Sequence, residues 1–245
     1  MTSLAALDVA RLRAHNPGPL TLSGTNTWLV GREPTWVIDP GPALPAHVEA
    51  VAAAVAARGG AGAIALTHDH GDHAEASAAL RERLGGGVPL AAARGAVDRR
   101  LGDGDALGPL RVLAVPGHAE DHLVFVAGRA GFTGDAVLGA GSVFVSADLG
   151  AYLDGLRRLR ALGLAVLCPG HGDEIWDPAA KLDEYLAHRA ERERRLLDAL
   201  AAGLRDEDAL LDAAWDDAPA AARPWALLTL RAHLDKLRAE GRLPA

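Results

Sequence analysis

A chain of 245 residues, 49% of them hydrophobic, can bury one large core or a core plus a small appendage, which excludes disorder as its default state. Its net charge of −7 gives no basic footprint for tight non-specific nucleic-acid binding, although a local basic groove is compatible with it. Cys168 is the single cysteine, so the fold owes nothing to an intramolecular disulfide and a cytoplasmic setting is expected. Met1 to Val9 lacks the basic and apolar pattern of a leader, and no run is long enough to cross a bilayer, so a soluble chain with no membrane partner is expected. Oligomers are compatible with all of this.

The first 22 residues read as a polar-apolar segment ending in the turn Asn16-Pro17-Gly18-Pro19. Two β-branched and aromatic runs follow, Thr25 to Val30 and Thr35 to Ile38, joined as a hairpin by Gly31-Arg32-Glu33-Pro34. From Pro45 to Arg58, Val48, Val51, Ala52 and Val55 recur at helical spacing, and Gly59-Gly60 marks the stop; His47 in the first turn reads as solvated. Ala63 to Leu66 is a short strand that delivers Thr67-His68-Asp69-His70-Gly71-Asp72-His73, and a helix is expected directly after it, Ala74 to Leu84. Further strands are expected at Val88 to Ala92, Leu110 to Val115, His122 to Ala127, Gly131 to Phe132 and Ala165 to Cys168, with an amphipathic helix over Tyr152 to Leu162. Cys168 on its apolar strand reads as packing. After Pro178 the pattern changes to a long charged helix, Lys181 to Leu200, then helices over Asp206 to Trp215 and Arg223 to Glu240. The boundary therefore divides the chain into residues 1–177 and a small helical domain, 178–245.

Three imidazoles and two carboxylates within seven residues repel one another unless a cation sits among them. Pro116-Gly117-His118, Thr133-Gly134-Asp135 and Pro169-Gly170-His171 repeat one device at three later strand ends, a glycine-containing turn that aims a His or Asp. His68, His70, Asp72, His73, His118, Asp135 and His171 are thus seven candidate ligands, more than one zinc site of about four uses, so two divalent ions are implied. One division gives the first ion His68, His70 and His118, the second Asp72, His73 and His171, with Asp135 bridging. Zinc is the leading candidate, and iron and manganese also suit mixed His/Asp ligation.

The pattern His-X-His-X-Asp-His followed by separate His, Asp and His resembles the metallo-β-lactamase superfamily at all seven positions. Thr25-Asn26-Thr27-Trp28, Ile38-Asp39-Pro40-Gly41 and Pro169-Gly170-His171-Gly172 extend the resemblance. It implies an α/β fold, a four-layer αββα sandwich with metals at one edge, and an aspartate at position 135 is similar to the glyoxalase II-like branch. Within the superfamily, Thr25-Asn26-Thr27, Pro116-Gly117-His118-Ala119-Glu120-Asp121-His122 and His188-Arg189 resemble the β-lactamase-like protein 2 group, which carries a C-terminal winged-helix-like domain. Two departures stand out: Ala119 replaces the group's threonine, and little chain remains to build a wing.

Two metals about 3.5–4 Å apart can hold a bridging hydroxide at neutral pH and polarise a carbonyl or phosphoryl oxygen, so hydrolysis is the expected reaction. Asp72 would orient that hydroxide or take its proton. The resemblance implies an endoribonuclease acting on single-stranded RNA, with Arg189 and Arg192 meeting phosphates and His188 at the domain junction; the bland reading for the two arginines is a solvated helix face paired with Glu184, Glu191 and Glu193. The runner-up is a glyoxalase II-like thioesterase or lactone hydrolase taking a small ester or thioester. A third class is a binding module with a vestigial metal site. A tunnel lined by the two arginines would favour RNA, and an open cleft a small ester.

Overall fold

The computed structural model describes residues 3–243; residues 1–2 and 244–245, the outermost ends of the segments read above, lie outside it. Six strands, β1 (Val9–Arg13), β2 (Asn26–Val30), β3 (Thr35–Ile38), β4 (Ala61–Ala65), β5 (Leu90–Ala92) and β6 (Arg99–Arg100), form one sheet in chain order, antiparallel from β1 to β3 and parallel from β3 to β6. Five more, β7 (Ala106–Leu107), β8 (Leu110–Ala114), β9 (Leu123–Ala127), β10 (Ala130–Gly134) and β11 (Val166–Pro169), form a second sheet in the order β11-β10-β9-β8-β7. Its strands are antiparallel except where β10 runs parallel to β11.

Period-two alternation explains the stacking. Along β2 and β3, Trp28, Val30 and Ile38 enter the core between the sheets, while Leu29 and Val37 enter the core under α1 (Pro45–Ala56) and α3 (Ser77–Arg83). In β9, Leu123 and Phe125 face the inter-sheet core, and Val124 and Val126 pack beneath α4 (Leu149–Ala161) and the start of α5 (Pro178–Ala201). Each central strand is apolar on both faces because each sheet is covered on both faces, giving helix, sheet, sheet, helix as layers. This is the expected αββα sandwich. Cys168 lies fully buried in the inter-sheet core, where packing holds it away from solvent and burial raises its thiol pKa.

Three local expectations are corrected. The first segment contains β1, which Arg11 and Arg13 disguise: both guanidinium groups reach across to the loop after β11, where they donate to Gly172 O (3.3 and 2.7 Å) and pair with Asp173 (3.1 and 2.8 Å). The helix expected after His73 begins earlier, as α2 (Gly71–Ala74), breaks, and resumes as α3. Gly41 is the cause, since its N–H takes the His73 carbonyl (3.0 Å) and its carbonyl takes the Ala76 N–H (3.0 Å), diverting the helical ladder. His47 is 6% exposed, not solvated, with Nε2 2.9 Å from the Thr27 hydroxyl.

The long helix α5 starts at Pro178, capped by Asp177, and carries Leu182 and Tyr185 into the sandwich core. Its second half, with Leu196 and Leu200, forms a separate core with α6 (Glu207–Ala214) and α7 (Arg223–Ala239). Among the described residues no strand follows β11, so this segment presents helices and no wing. No helix is long and apolar enough to cross a membrane.

Candidate metal centre

All seven sequence-read residues converge at one edge of the sandwich. Strand β4 ends into the loop of His68 and His70, α2 carries Asp72 and His73, and the ends of β8, β10 and β11 bring His118, Asp135 and His171. Two glycines are demanded by the crowding. A Cβ on Gly134, whose φ is +46°, would stand 2.4 Å from Thr67 Oγ1, and one on Gly170 would stand 2.5 Å from Asp135 Oδ1.

His70 Nδ1 lies 3.0 Å from His68 Nε2 and 3.1 Å from His118 Nε2. His171 Nε2 lies 3.3 Å from His73 Nε2, from Asp72 Oδ2 and from Asp135 Oδ2. Asp135 reaches both groups, with Oδ2 3.7 Å from His118 Nε2 and Oδ1 3.5 Å from His73 Nε2. Ligand atoms of His68, His70 and His118, of Asp72, His73 and His171, and of His68, His73 and Asp135 each lie mutually within 4.8 Å.

The tautomers follow from the surroundings. Asp39 accepts from Thr67 N (2.8 Å), from the Thr67 hydroxyl (2.7 Å) and from His73 Nδ1 (2.9 Å). With its hydroxyl proton committed to Asp39, Thr67 Oγ1 accepts from His68 Nδ1 at 3.0 Å. Both His68 and His73 are thereby turned so that an unprotonated Nε2 can face the centre. Burial holds His68 well below the usual histidine range and, with His118 and His122 as further examples pushed to about 4 and about 3, keeps those rings neutral. Burial works the same way on His171 and His73, but the Asp135, Asp72 and Asp39 carboxylates outweigh it, taking His171 up to about 9 and raising His73 well above its usual value.

Such a donor set fits divalent metal. Nitrogens bound tetrahedrally to zinc at about 2.0–2.1 Å stand about 3.3–3.4 Å apart, close to the spacing found between these rings. Ring nitrogens this close set their lone pairs against one another once the protons are off, and a cation satisfies those lone pairs together.

Several supporting residues escaped the sequence reading as such. Asp39 and Thr67 orient two rings, and what the sequence offered was the motif Ile38-Asp39-Pro40-Gly41 at a strand end, with no role attached to its carboxylate. Thr25 donates to Asp72 Oδ2 at 3.1 Å and is itself fixed by Asn16 (2.9 Å); Asn26 donates to the Pro169 and Gly172 carbonyls (3.0 and 2.8 Å), holding the His171 turn. His122, by contrast, is a residue the sequence offers as a strand start or a support for the cluster, and it lies beside the cluster with Nε2 accepting from Asp135 N (3.2 Å) and its ring stacked on His68 at 4.8 Å.

The substrate-side expectation for the arginines is corrected. Arg189 is 2% exposed, lies 5.9 Å above the Tyr152 ring, and donates to Ser142 Oγ (2.9 Å) and the Val143 carbonyl. Arg192 is 6% exposed and donates to Ala214 O (2.6 Å) and Asp217 (2.8 Å), beside Trp215. Both guanidinium groups are thus buried among helices and loops and line no part of the metal cleft, and the partners they meet are not the glutamates of a solvated face. His188 is half-buried on the same helix and does not line the metal cleft.

A cleft of about 480 Å³ opens onto His70, Asp72, His118, Asp135 and His171. A larger groove, about 600 Å³, runs between α7 and the start of α4 and contains none of the seven residues.

No family model matches the chain. Among curated proteins it is 32% identical to the beta-lactamase-like protein 2 homolog of Caenorhabditis elegans over 253 residues, covering 95% of this chain and 85% of that protein. It is 36% identical to a lactamase-like protein of Arthroderma gypseum and 39% identical to the atrochrysone carboxyl ACP thioesterase of Aspergillus chevalieri, each match covering 78% of this chain. The chain spans 64% and 65% of the length of those two relatives. Among solved structures, a metallo-beta-lactamase family protein from Thermus thermophilus aligns with TM-score 0.68 and 26% identity, over 96% of this chain and 94% of that one. A protein crystallised in a di-iron-bound form aligns with TM-score 0.57 and 28% identity, over 69% of this chain and 96% of that one. The chain belongs to the metallo-β-lactamase superfamily, and its homologues there include a hydrolase, the thioesterase.

Proposed function

We propose that this chain is a divalent-metal-dependent hydrolase that cleaves a carbonyl ester or thioester. The observation that carries the reading is the convergence of metal-binding lone pairs at the floor of an open cleft that no arginine or lysine among the described residues lines. In this reading His68, His70 and His118 hold one ion, Asp72, His73 and His171 hold a second, and Asp135 serves both. A di-iron neighbour and the mixed His/Asp donors support a two-metal site of zinc, iron or manganese. Bound divalent ions supply Lewis acidity toward a carbonyl oxygen and a nucleophile drawn from water at neutral pH.

The chain's own groups do the rest. Asp72, half-buried at the cleft floor, orients the attacking water and takes its proton, while the Thr25 hydroxyl fixes one of its oxygens. Asp39 and Thr67 keep His68 and His73 in the tautomer that presents Nε2. The thioesterase relative supports a carbonyl substrate. Single-stranded RNA rests on kinship to the protein 2 group alone, and the arginines it calls for are committed elsewhere. A single buried cysteine fits a reducing, cytoplasmic compartment.

Metal content by mass spectrometry, together with hydrolysis of an acyl thioester, single-stranded RNA and a β-lactam, tests this reading. Two ions per chain and thioester turnover are expected, with Asp135→Ala losing at least one ion and about 100-fold or more in turnover. RNA cleavage without thioester turnover overturns the substrate class, and an Asp135→Ala protein with two ions and full activity overturns the dinuclear assignment.

A further inference from the structure

The cleft walls define what part of a substrate can lie above the metal-binding floor. Leu20 and Leu22 form one side; Leu138, Val143 and Phe144 form the other, with Phe144 packed 4.6 Å from the His118 ring. Leu20 is 52% exposed, and of the large apolar side chains that the described surface leaves open it is the one at this cleft. Apart from the histidines of the floor, the ionisable side chains on the lining are Asp72 and Asp135, also at the floor, and no arginine or lysine among the described residues stands on the walls. An anionic group held along the walls, away from the floor, would therefore meet apolar side chains with no arginine or lysine to receive it.

Both walls are fastened before any ligand arrives. On the first, Gly18 N donates to Leu22 O (3.1 Å), Gly24 N to Thr21 O (2.8 Å) and the Thr21 hydroxyl to Asn16 O (2.5 Å). On the second, the Tyr185 hydroxyl accepts from Leu138 N (3.0 Å), Arg189 holds Ser142 and Val143, and Val145 N donates to Thr229 Oγ1 (3.0 Å). A preformed apolar slot loses little conformational freedom on binding, which favours an apolar occupant.

We propose that this slot takes the uncharged, apolar acyl group of an ester or thioester, with the scissile carbonyl at the His/Asp floor and the acyl chain between Leu20 and Phe144. The acyl site rests on the hydrolytic reading of the same floor. In the reaction water's oxygen bonds to the carbonyl carbon and the carbon–sulfur or carbon–oxygen bond breaks. One water proton ends on the leaving sulfur or oxygen, and the other is released as the new carboxylic acid ionises.

Binding is measured apart from turnover with ketone analogues in which a methylene replaces the thioester sulfur. Acetyl, butanoyl, hexanoyl and succinyl versions are titrated calorimetrically into the zinc-loaded protein. Affinity should rise by about fourfold per added methylene between acetyl and hexanoyl, the ratio expected when each is buried, and succinyl should bind at least about tenfold more weakly than butanoyl. Leu20→Asp, at an exposed position, should lower hexanoyl affinity by about tenfold while its metal content and circular dichroism stay those of the unaltered protein. A flat chain-length series, succinyl binding as tightly as butanoyl, or displacement of the hexanoyl analogue by an oligoribonucleotide overturns the acyl site. A steep series without thioester turnover keeps the acyl site and rejects hydrolysis, whereas thioester turnover with a flat series rejects the acyl site alone.

Discussion

Asp39 links sequence to chemistry through one carboxylate held in the left-handed backbone region (φ 53°), where it gathers the Thr67 amide, the Thr67 hydroxyl and His73 Nδ1. Removing it frees His73 to change tautomer and leaves the Thr67 hydroxyl free to turn away from His68. Asp39→Ala should weaken metal binding by about 10–100-fold in a competitive chelator titration, the range usual for residues that orient a metal-binding histidine. Gly134 sets a different constraint. Its positive φ and the 2.4 Å approach of Thr67 Oγ1 leave no room for a methyl group, so Gly134→Ala should cost about 1–3 kcal/mol in urea unfolding. The nearby pair of Arg94 with Asp69 is half-exposed and bidentate at 2.9 Å; Arg94→Ala should change unfolding free energy by no more than about 1 kcal/mol.

At the scale of elements, the C-terminal helices belong to the cleft although none of the seven convergent residues lies on them. Tyr185 and Arg189 on α5 and Thr229 on α7 hold residues 138–145, the loop between β10 and α4 that forms one cleft wall. Thr229→Val keeps the shape of the side chain but leaves the buried Val145 amide without its acceptor, at a cost of about 1–3 kcal/mol. Hydrogen exchange should then quicken at Val145 and its loop neighbours while β4 and β9 keep their protection. Unchanged exchange across residues 138–145 would mean that the helices do not brace this wall. A charged helical appendage with buried leucines was legible in the periodicity of residues 178–245. That its arginines turn inward was not, because Arg189 and Arg192 occupy the same spacing on α5 whether they face solvent or a neighbouring loop.

For the whole molecule, the clustered rings make stability depend on pH in opposite senses. His73 and His171 are raised, so in protein stripped of metal by chelation their contribution is fully present below pH 6.5 and is lost as pH rises toward about 9. His68, His118 and His122 are lowered by burial, so their contribution is present above pH 6.5 and is lost as pH falls through about 4 to about 3. The two senses meet near pH 6.5, where the melting temperature of chelated protein should be highest. Metal takes the place of the protons on His73 and His171, so loading should flatten the alkaline fall. Melting curves from pH 4 to 9, with and without chelator, would show a peak well away from pH 6.5 in the chelated protein, or an alkaline limb that metal leaves unaltered, if this account fails.

The sequence alone determined the candidate ligand residues, their placement at strand ends and the sandwich, because dense histidines, glycine turns and two-faced apolar strands leave a local record. β1 was not legible, since Arg11 and Arg13 put two charges on the face that Val9 begins and serve a distant loop. His47 was misread for a related reason: one histidine on a helix carries no mark of the Thr27 hydroxyl that buries it. Only the tertiary structure decided the second layer of support through Asp39, Thr67 and Asn26, the inward turn of Arg189 and Arg192, and the apolar character of the cleft. Those depend on which distant segments meet, and hydrogen-bond partners separated by 22 to 146 residues leave no periodic trace in the chain.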